Sequence, residues 1–388
     1  MRILHAVELY RPSTGGAQEV VRQVSERLAA DGHEVTVATS RLPGRADRVL
    51  DGVRVEEFDV AGNEVRGMTG NLDRYRSFVT GGGFDVVMTY AAQQWTTDAL
   101  LPVLDEIEAP TVLAPCGFSG LRDPAYAGYF ERLRELLPRF DALVFHSDTY
   151  QDAAFAREAG ATNGHLIPNG ADEREFGQLP ERGRFRERWG IPADSPLVLT
   201  VGGHTGLKGH EQAMRAFGRC SHAVGGSLAI LANRPTGPGC GRRCRYSAAA
   251  RNLVRRDRRI IVTDPPRSEV VEAFTDADLF LFCSMVECSP LVLFEAMAAG
   301  LPFVSLDVGN AAEIAGWGGG GVVVPSGRDR IGRVTAPAGE VAAAVDSLLA
   351  DPVRRQEMGA SARAAWQAGF TWEEIAGRYA RLYEELAR

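Results

Sequence analysis

Two glutamates, Glu287 and Glu295, stand with seven residues between them in the stretch Cys283-Ser-Met-Val-Glu-Cys-Ser-Pro-Leu-Val-Leu-Phe-Glu-Ala-Met-Ala-Ala-Gly300. Carboxylates placed like this can accept hydrogen bonds from the hydroxyls of one ligand. The preceding run Ala277 to Phe282 is short, apolar and aromatic, the pattern of a buried parallel strand. Ser289 reads as an N-cap, Pro290 as the first helical residue, and Gly300 followed by Pro302 as the stop signal. Glu287 therefore falls in a loop, and Glu295 about one and a half turns into a helix whose side chains lean back toward its N-terminus. The backbone N–H groups of Leu291 and Val292 at the helix start would favour an anion such as a diphosphate. Both acids then face the crevice at the carboxyl ends of the strands, where open α/β sheets bind ligands. Two hydroxyl acceptors beside an anion site suit a nucleotide sugar.

A second cluster follows the apolar run Leu197 to Val201, in Gly202-Gly-His-Thr-Gly-Leu-Lys-Gly209. Glycines let the backbone approach a phosphate and Lys208 supplies a point charge. The P-loop spacing is absent. A tight turn with a solvated lysine is the plainer reading, weaker beside a second anion-friendly helix start. Ser13-Thr-Gly-Gly16 opens the first helix and would serve a ligand phosphate or an acceptor, or be an ordinary turn; without Gly-x-Gly-x-x-Gly, nicotinamide binding loses its main support. Asp276-Ala-Asp278 has the form of a metal motif but precedes its strand, which makes it a helix-end and cap feature. Cys240 and Cys244 resemble half a zinc site, yet no second ligand pair has the expected spacing, and they read as free loop thiols. Cys283 and Cys288 read as packing, with no paired base in evidence. No metal is expected.

These clusters need elements to hold them. Strand-like runs at Arg2 to Leu9, His33 to Thr39, Val53 to Phe58, Phe84 to Tyr90, Thr111 to Ala114 and Ala142 to His146 alternate with helical patterns, the first from Ala17 to Ala30 closed by Gly32. After the turn cluster Pro168 to Asp172, a charged segment punctuated by Gly and Pro reads as a linker. A second alternation runs through Leu197 to Val201, Leu228 to Leu231, Ile260 to Thr263, Leu279 to Phe282 and Phe303 to Leu306. The class is α/β, with two Rossmann-like doubly wound domains in series. Thr371 to Arg388 is an amphipathic helix.

The 388 residues suggest two domains, and 45% hydrophobic with 24% charged residues is ordinary for a globular protein. A net charge of -7 argues against nucleic acid as a partner. Inside that acidic chain, 242–259 is strongly cationic; a solvated helix face is the favoured reading, peripheral contact with an anionic membrane or with a phosphate-bearing acceptor the sharper one. Six cysteines make no disulfide scaffold, no secretory signal precedes the first strand, and no apolar run approaches a transmembrane length, so a cytoplasmic protein with reduced thiols is expected.

Taken together, Gly15-Gly16 after the opening strand, Ile167-Pro-Asn-Gly170, Val201-Gly202 with Lys208-Gly209, and the Glu-x7-Glu spacing resemble glycosyltransferase family 4, retaining enzymes of the GT-B fold. The resemblance covers most of the chain. It implies an acceptor-binding domain over 1–170, a linker over 171–195, a nucleotide-sugar-binding domain over 196–368, and a helix over 369–388 crossing back to the first domain, the two domains facing a central cleft. It implies Lys208 at the donor diphosphate, Glu287 at the hydroxyls of the transferred sugar and Glu295 at the ribose, with Thr263 and Asp264 near the base. Gly16, Gly203, His204, Ser289, Leu291 and Val292 complete the implied donor set; Gly15, Tyr90, Cys116 and Gly117 would border the acceptor. The implied activity is retaining, metal-independent transfer from a nucleoside diphosphate sugar, UDP-linked, to a hydroxyl acceptor in glycan or natural-product biosynthesis. No cofactor is implied. The alternatives are a GT-B nucleotide-sugar epimerase and a non-catalytic sugar-nucleotide-binding partner.

Three positions depart from the family pattern. The usual arginine five residues before the lysine falls at Gly203, leaving His204 or a distant arginine as its substitute. The usual histidine of the first domain falls at Cys116, and Pro290 removes one N–H from the anion-binding turn.

Overall fold

A computed structural model describes residues 1–233 and 239–388. The chain forms two compact units, Met1–Asn169 together with Trp372–Arg388, and Gly170–Thr371.

In the first unit β1 (Arg2–Ala6), β2 (Glu34–Ser40), β3 (Val49–Leu50), β4 (Val53–Phe58), β7 (Val86–Tyr90), β8 (Thr111–Ala114), β9 (Ala142–Phe145) and β10 (Gly164–Leu166) form one sheet in the order β10-β9-β8-β7-β1-β2-β4-β3. Between them, β5 (Val60–Asn63) and β6 (Gly67–Gly70) make an antiparallel hairpin. All pairs of the main sheet are parallel except β3 with β4. The strand order reverses between β1 and β7. The side chains of β7, β8 and β9 are all buried, as a parallel sheet covered on both faces requires.

The second unit repeats the scheme. β11 (Leu197–Val201), β12 (Ser227–Leu231), β13 (Arg259–Thr263), β14 (Leu279–Phe282), β15 (Phe303–Leu306) and β16 (Gly321–Val324) lie parallel in the order β13-β12-β11-β14-β15-β16. This is the doubly wound order with its switch point between β11 and β14, so the loops leaving Val201 and Phe282 must border the ligand crevice. A small antiparallel pair, β17 (Gly327–Arg328) with β18 (Val334–Thr335), is tied to the loop after β14 by a bond from the Val334 N–H to the Met285 carbonyl.

Five helices matter below: α1 (Gly16–Ala30), α2 (His210–Phe217), α3 (Gly241–Val254), α4 (Leu291–Ala299) and α5 (Trp372–Leu386). The last buries Trp372, Ile375, Ala376, Tyr379, Leu382 and Tyr383, spaced for a single helical stripe, and belongs to the first unit. The Tyr383 hydroxyl lies 3.0 Å from His5 Nε2 on β1.

Residues 171–195, expected to be a linker, fold as part of the second unit. Phe176, Phe185 and Ile191 enter its core, which no charge pattern revealed. The Asp276-Ala-Asp278 pair explains the attachment. Asp276 accepts the N–H groups of Gly183, Phe185 and Arg186 at the start of the helix Arg184–Trp189, and Asp278 pairs with Arg186 at 2.8 Å. Asp276 does cap a helix, but one distant in sequence, while Asp278 anchors that helix through Arg186. The cationic segment is α3 and the turn after it, where Arg242, Arg243, Arg245, Arg255 and Arg256 are exposed. Arg258, by contrast, is buried and donates to the Phe217 and Cys220 carbonyls. Among the described residues no helix is long and apolar enough to cross a membrane.

Candidate active site

The loops that leave β11 and β14 are laced together. The Met285 N–H donates to the Leu207 carbonyl at 2.8 Å, and the Ser284 hydroxyl reaches the same oxygen at 3.3 Å. Gly209, the N-cap of α2, has φ +68, and a Cβ there would stand 1.7 Å from the Cys283 carbonyl oxygen. Only glycine fits where the two backbones touch. This contact brings Lys208 to Glu287: Nζ donates to Oε1 at 2.6 Å, and the Ser284 hydroxyl donates to the same oxygen at 2.6 Å. The lysine side chain is 31% exposed and the glutamate 12%, so a charged pair sits at the mouth of the switch point with its lysine open to a ligand.

Glu295 takes a different partner. Its Oε1 accepts from Arg267 at 2.5 Å, and Arg267 also makes a bidentate pair with Glu175, 2.7 Å at its shorter contact. Partial burial works against the guanidinium charge, but Glu295 and Glu175 outweigh it and hold Arg267 above its ordinary range. Arg267 was not among the expected site residues; it follows β13 in an Asp264-Pro-Pro-Arg267 turn, and only the fold brings it to α4. Thr263 ends β13 and gives its carbonyl to the Ala232 N–H, with Asp264 exposed beyond it.

Helix α4 begins one residue later than expected, with Pro290 as the N-cap in extended conformation and no side-chain cap, and with Ser289 outside it. Proline at the cap gives no donor, so the first N–H groups offered are those of Leu291 and Val292. His204, expected as a substitute for the missing arginine, faces α3. It is buried, its backbone N–H bonds to the Asn233 carbonyl, and its Nδ1 lies 3.6 Å from Cys240 Sγ. At Gly203 a Cβ would meet Asn233 Oδ1 at 2.8 Å, so a larger side chain there would press on the following loop. Cys283 is buried and its thiol pushed up to about 12 by desolvation, as expected of a packing residue. Cys240 and Cys244 are not loop thiols: Cys240 is the N-cap of α3 and Cys244 lies buried within it.

In the first unit, Gly15 is the N-cap of α1 and Gly16 its first residue. Tyr90, expected at the acceptor, ends β7 only 1% exposed, with its hydroxyl 2.8 Å from His146 Nε2. The structure makes it a core residue. Cys116 and Gly117 form the turn after β8 at φ 58 and φ 92, fixed by Asp152, which accepts from the Gly117 N–H at 2.8 Å. Ala91, Gln93 and Phe118 also have positive φ, so left-handed backbone gathers at the carboxyl ends of β7 and β8, where functional loops commonly store strain.

Comparison with known proteins gives two family matches that together span most of the chain. Residues 15–170 match the description "Glycosyl transferase 4-like domain" and residues 181–365 match "Glycosyl transferases group 1". The chain is a glycosyltransferase of the family 4 type.

Among relatives of this glycosyltransferase, the D-inositol 3-phosphate glycosyltransferase of Xylanimonas cellulosilytica is 26% identical, covering 100% of this chain and 96% of the relative. The N-acetyl-alpha-D-glucosaminyl L-malate synthase of Bacillus anthracis is 23% identical over 97% and 96% of the two chains. The fold is GT-B: sucrose-phosphate synthase from Thermosynechococcus elongatus superposes with a TM-score of 0.79 at 21% identity, covering 100% of this chain and 99% of that one. HepE of Anabaena, solved with UDP, gives 0.76 at 17% identity over 99% and 100% of the chains.

Proposed function

We propose that this glycosyltransferase moves a sugar, with retention of configuration, from a UDP-linked donor to a hydroxyl of its acceptor. The observation that carries the reading is the Lys208–Glu287 pair at 2.6 Å, held at the switch point of the second sheet by Gly209 and Ser284. An incoming diphosphate would compete with Glu287 for the ammonium group. As Lys208 turns to the phosphate, the Glu287 carboxylate is released to accept hydrogen bonds from the sugar hydroxyls. Arg267, held by Glu175, sets the Glu295 carboxylate for the ribose. The N–H groups of Leu291 and Val292 add partial positive charge.

In the transfer itself a bond forms between the acceptor oxygen and the anomeric carbon, the bond from that carbon to the diphosphate breaks, and the acceptor proton passes to the departing phosphate oxygen on the same face. No side chain need act as base. What the protein supplies is positioning and stabilisation of the leaving charge. The solved neighbour bound to UDP supports the choice of base in the donor. Relatives named for D-inositol 3-phosphate and L-malate suggest small anionic hydroxyl compounds as the first acceptors to try.

The test is a panel of UDP-, GDP-, ADP- and dTDP-sugars, followed by thermal shift and by nucleotide release with and without such acceptors. Stabilisation by one UDP-sugar with acceptor-dependent release is the expected result. Conversion of the donor sugar without acceptor, or no stabilisation by any donor, would overturn it.

A further inference from the structure

Two histidines flank Lys208 and go unused by the transfer reading, His204 in the same loop and His210 at the start of α2. Two cysteines, Cys240 and Cys244, stand opposite them at the start of α3. One ligand atom from each of the four lies within 4.8 Å of every other. We infer that these four side chains form a structural zinc site that clips the Lys208 loop to α3.

The distances fit one tetrahedral ion. With zinc about 2.3 Å from sulfur and about 2.0 Å from nitrogen, a tetrahedron separates two sulfurs by about 3.8 Å and a sulfur from a nitrogen by about 3.5 Å. Cys240 Sγ and Cys244 Sγ are 3.4 Å apart. Cys240 Sγ lies 3.6 Å from His204 Nδ1 and 4.0 Å from His210 Nδ1, and Cys244 Sγ lies 3.7 Å from His210 Nδ1. The two imidazole rings stand edge to face, their centroids 5.0 Å apart and their planes at 88°, so they do not stack on one another and both fit around one centre. Three of the four residues are buried and Cys240 is partly exposed.

The donor set also selects the metal and its role. Two thiolates with two imidazoles suit Zn²⁺, whereas oxygen-loving cations would find no carboxylate here. Four protein ligands leave no open position for water or substrate, which marks a structural rather than a catalytic centre. Two thiolates neutralise the ion, so the site adds no net charge at the diphosphate and does not replace the arginine absent at Gly203. Its effect is mechanical. His204 and His210 bracket Lys208, and the Cys240 N–H already donates to the His204 carbonyl at 2.9 Å, so ligation would close both ends of the loop onto one helix. A cavity of about 560 Å³, lined in part by His210, Cys240 and Cys244, offers the ion a route in. The spacing hid this arrangement, because the histidine pair precedes the cysteine pair and a whole strand, β12, lies between them.

The site is independent of the transfer reading and is tested without an activity assay. Untagged protein is purified from zinc-supplemented cells and its metal measured by mass spectrometry, then exchanged with Co²⁺ for absorption spectroscopy. About one zinc per chain is expected, with a thiolate-to-cobalt charge-transfer band and tetrahedral d–d bands in the exchanged protein. Cys240→Ser with Cys244→Ser should lower zinc at least tenfold, while Cys116→Ser, outside the cluster, should retain it. Chelation should increase hydrogen exchange over 202–210 and 239–247, with added zinc restoring protection. Reduced wild-type protein that takes up neither zinc nor cobalt, or equal loss of zinc in Cys116→Ser, would overturn the inference. The cobalt spectrum of the wild-type chain decides the matter even where the double variant fails to fold.

Discussion

Lys208 and Glu287 show how much one contact can carry. Under the proposed reading, Lys208→Ala removes the side-chain cation at the leaving phosphates and should lower kcat by about 10²- to 10³-fold, the scale seen when one preorganised stabilising group is lost. Initial rates at saturating donor measure this, and near-wild-type turnover would refute the assignment. Glu295→Gln should act mainly on donor KM, because a ribose contact is made equally in the ground and transition states. Two other buried groups set a pH response in the first unit. Burial pushes Asp98 up to about 7 and His5 down to about 3, from ordinary values of 3.8 and 6.5. Between pH 3.8 and 6.5 the folded protein binds more protons than the unfolded chain at Asp98 and fewer at His5. Rising pH therefore weakens the fold through Asp98 and strengthens it through His5, and the two slopes oppose each other. Asp98→Asn removes the first contribution, so stability should rise with pH more steeply than in wild type, by up to about 1.4 kcal/mol per pH unit. Denaturant titrations across that window provide the comparison, and parallel profiles for the two proteins would contradict it.

At the scale of elements, the decisive feature is the backbone contact between the loops after β11 and β14. Gly209 and Gly206 both have positive φ, yet a Cβ at Gly206 meets nothing within 4 Å while one at Gly209 collides with Cys283. Gly206→Ala should cost about 1–2 kcal/mol, the price of left-handed backbone alone. Gly209→Ala must also push the two loops apart, separating Lys208 from Glu287, and should cost more and weaken donor binding. Thermal unfolding and donor thermal shift, measured on both variants, separate strain from displacement; equal losses would show that the loop contact is unimportant. At α4, Pro290 ends the preceding loop in extended conformation, and its carbonyl takes the Leu293 N–H.

The last helix brings the two ends of the chain into one unit. α5 returns to the unit that β1 begins, where the Tyr383 hydroxyl meets the buried His5 ring, whose other nitrogen lies 2.7 Å from the Ser25 hydroxyl. Tyr383→Phe leaves His5 Nε2 unpaired in the core and should lower stability by about 1–3 kcal/mol. The denaturant midpoint of the variant checks this; no shift would mean that water replaces the hydroxyl. Removing residues 372–388 altogether takes the buried Trp372, Ile375, Tyr379, Leu382 and Tyr383 out of the first unit and should lower its denaturant midpoint further still.

Much was legible in the sequence because parallel strands buried on both faces must be continuous apolar runs. Thr111–Ala114, Leu197–Val201, Leu279–Phe282 and Phe303–Leu306 fall where that pattern places them, and Val53–Phe58 is found by its alternation of buried Val53, Val55 and Phe58 with polar residues instead. β10 and β16 escaped because they are edge strands, short or glycine-led, with weaker burial. Lys208 and the two glutamates were legible because strand-to-helix loops at a switch point occupy known places along such a chain. What only the tertiary structure decided is partnership between residues distant in sequence: Lys208 with Glu287 rather than with solvent, Glu295 with Arg267, Tyr90 with His146, and His204 and His210 with two cysteines beyond the next strand. The physical reason is that hydrophobic periodicity specifies which side of an element is buried, whereas the pairing of polar side chains depends on how loops from different strands cross, and that is set by packing across the sheet.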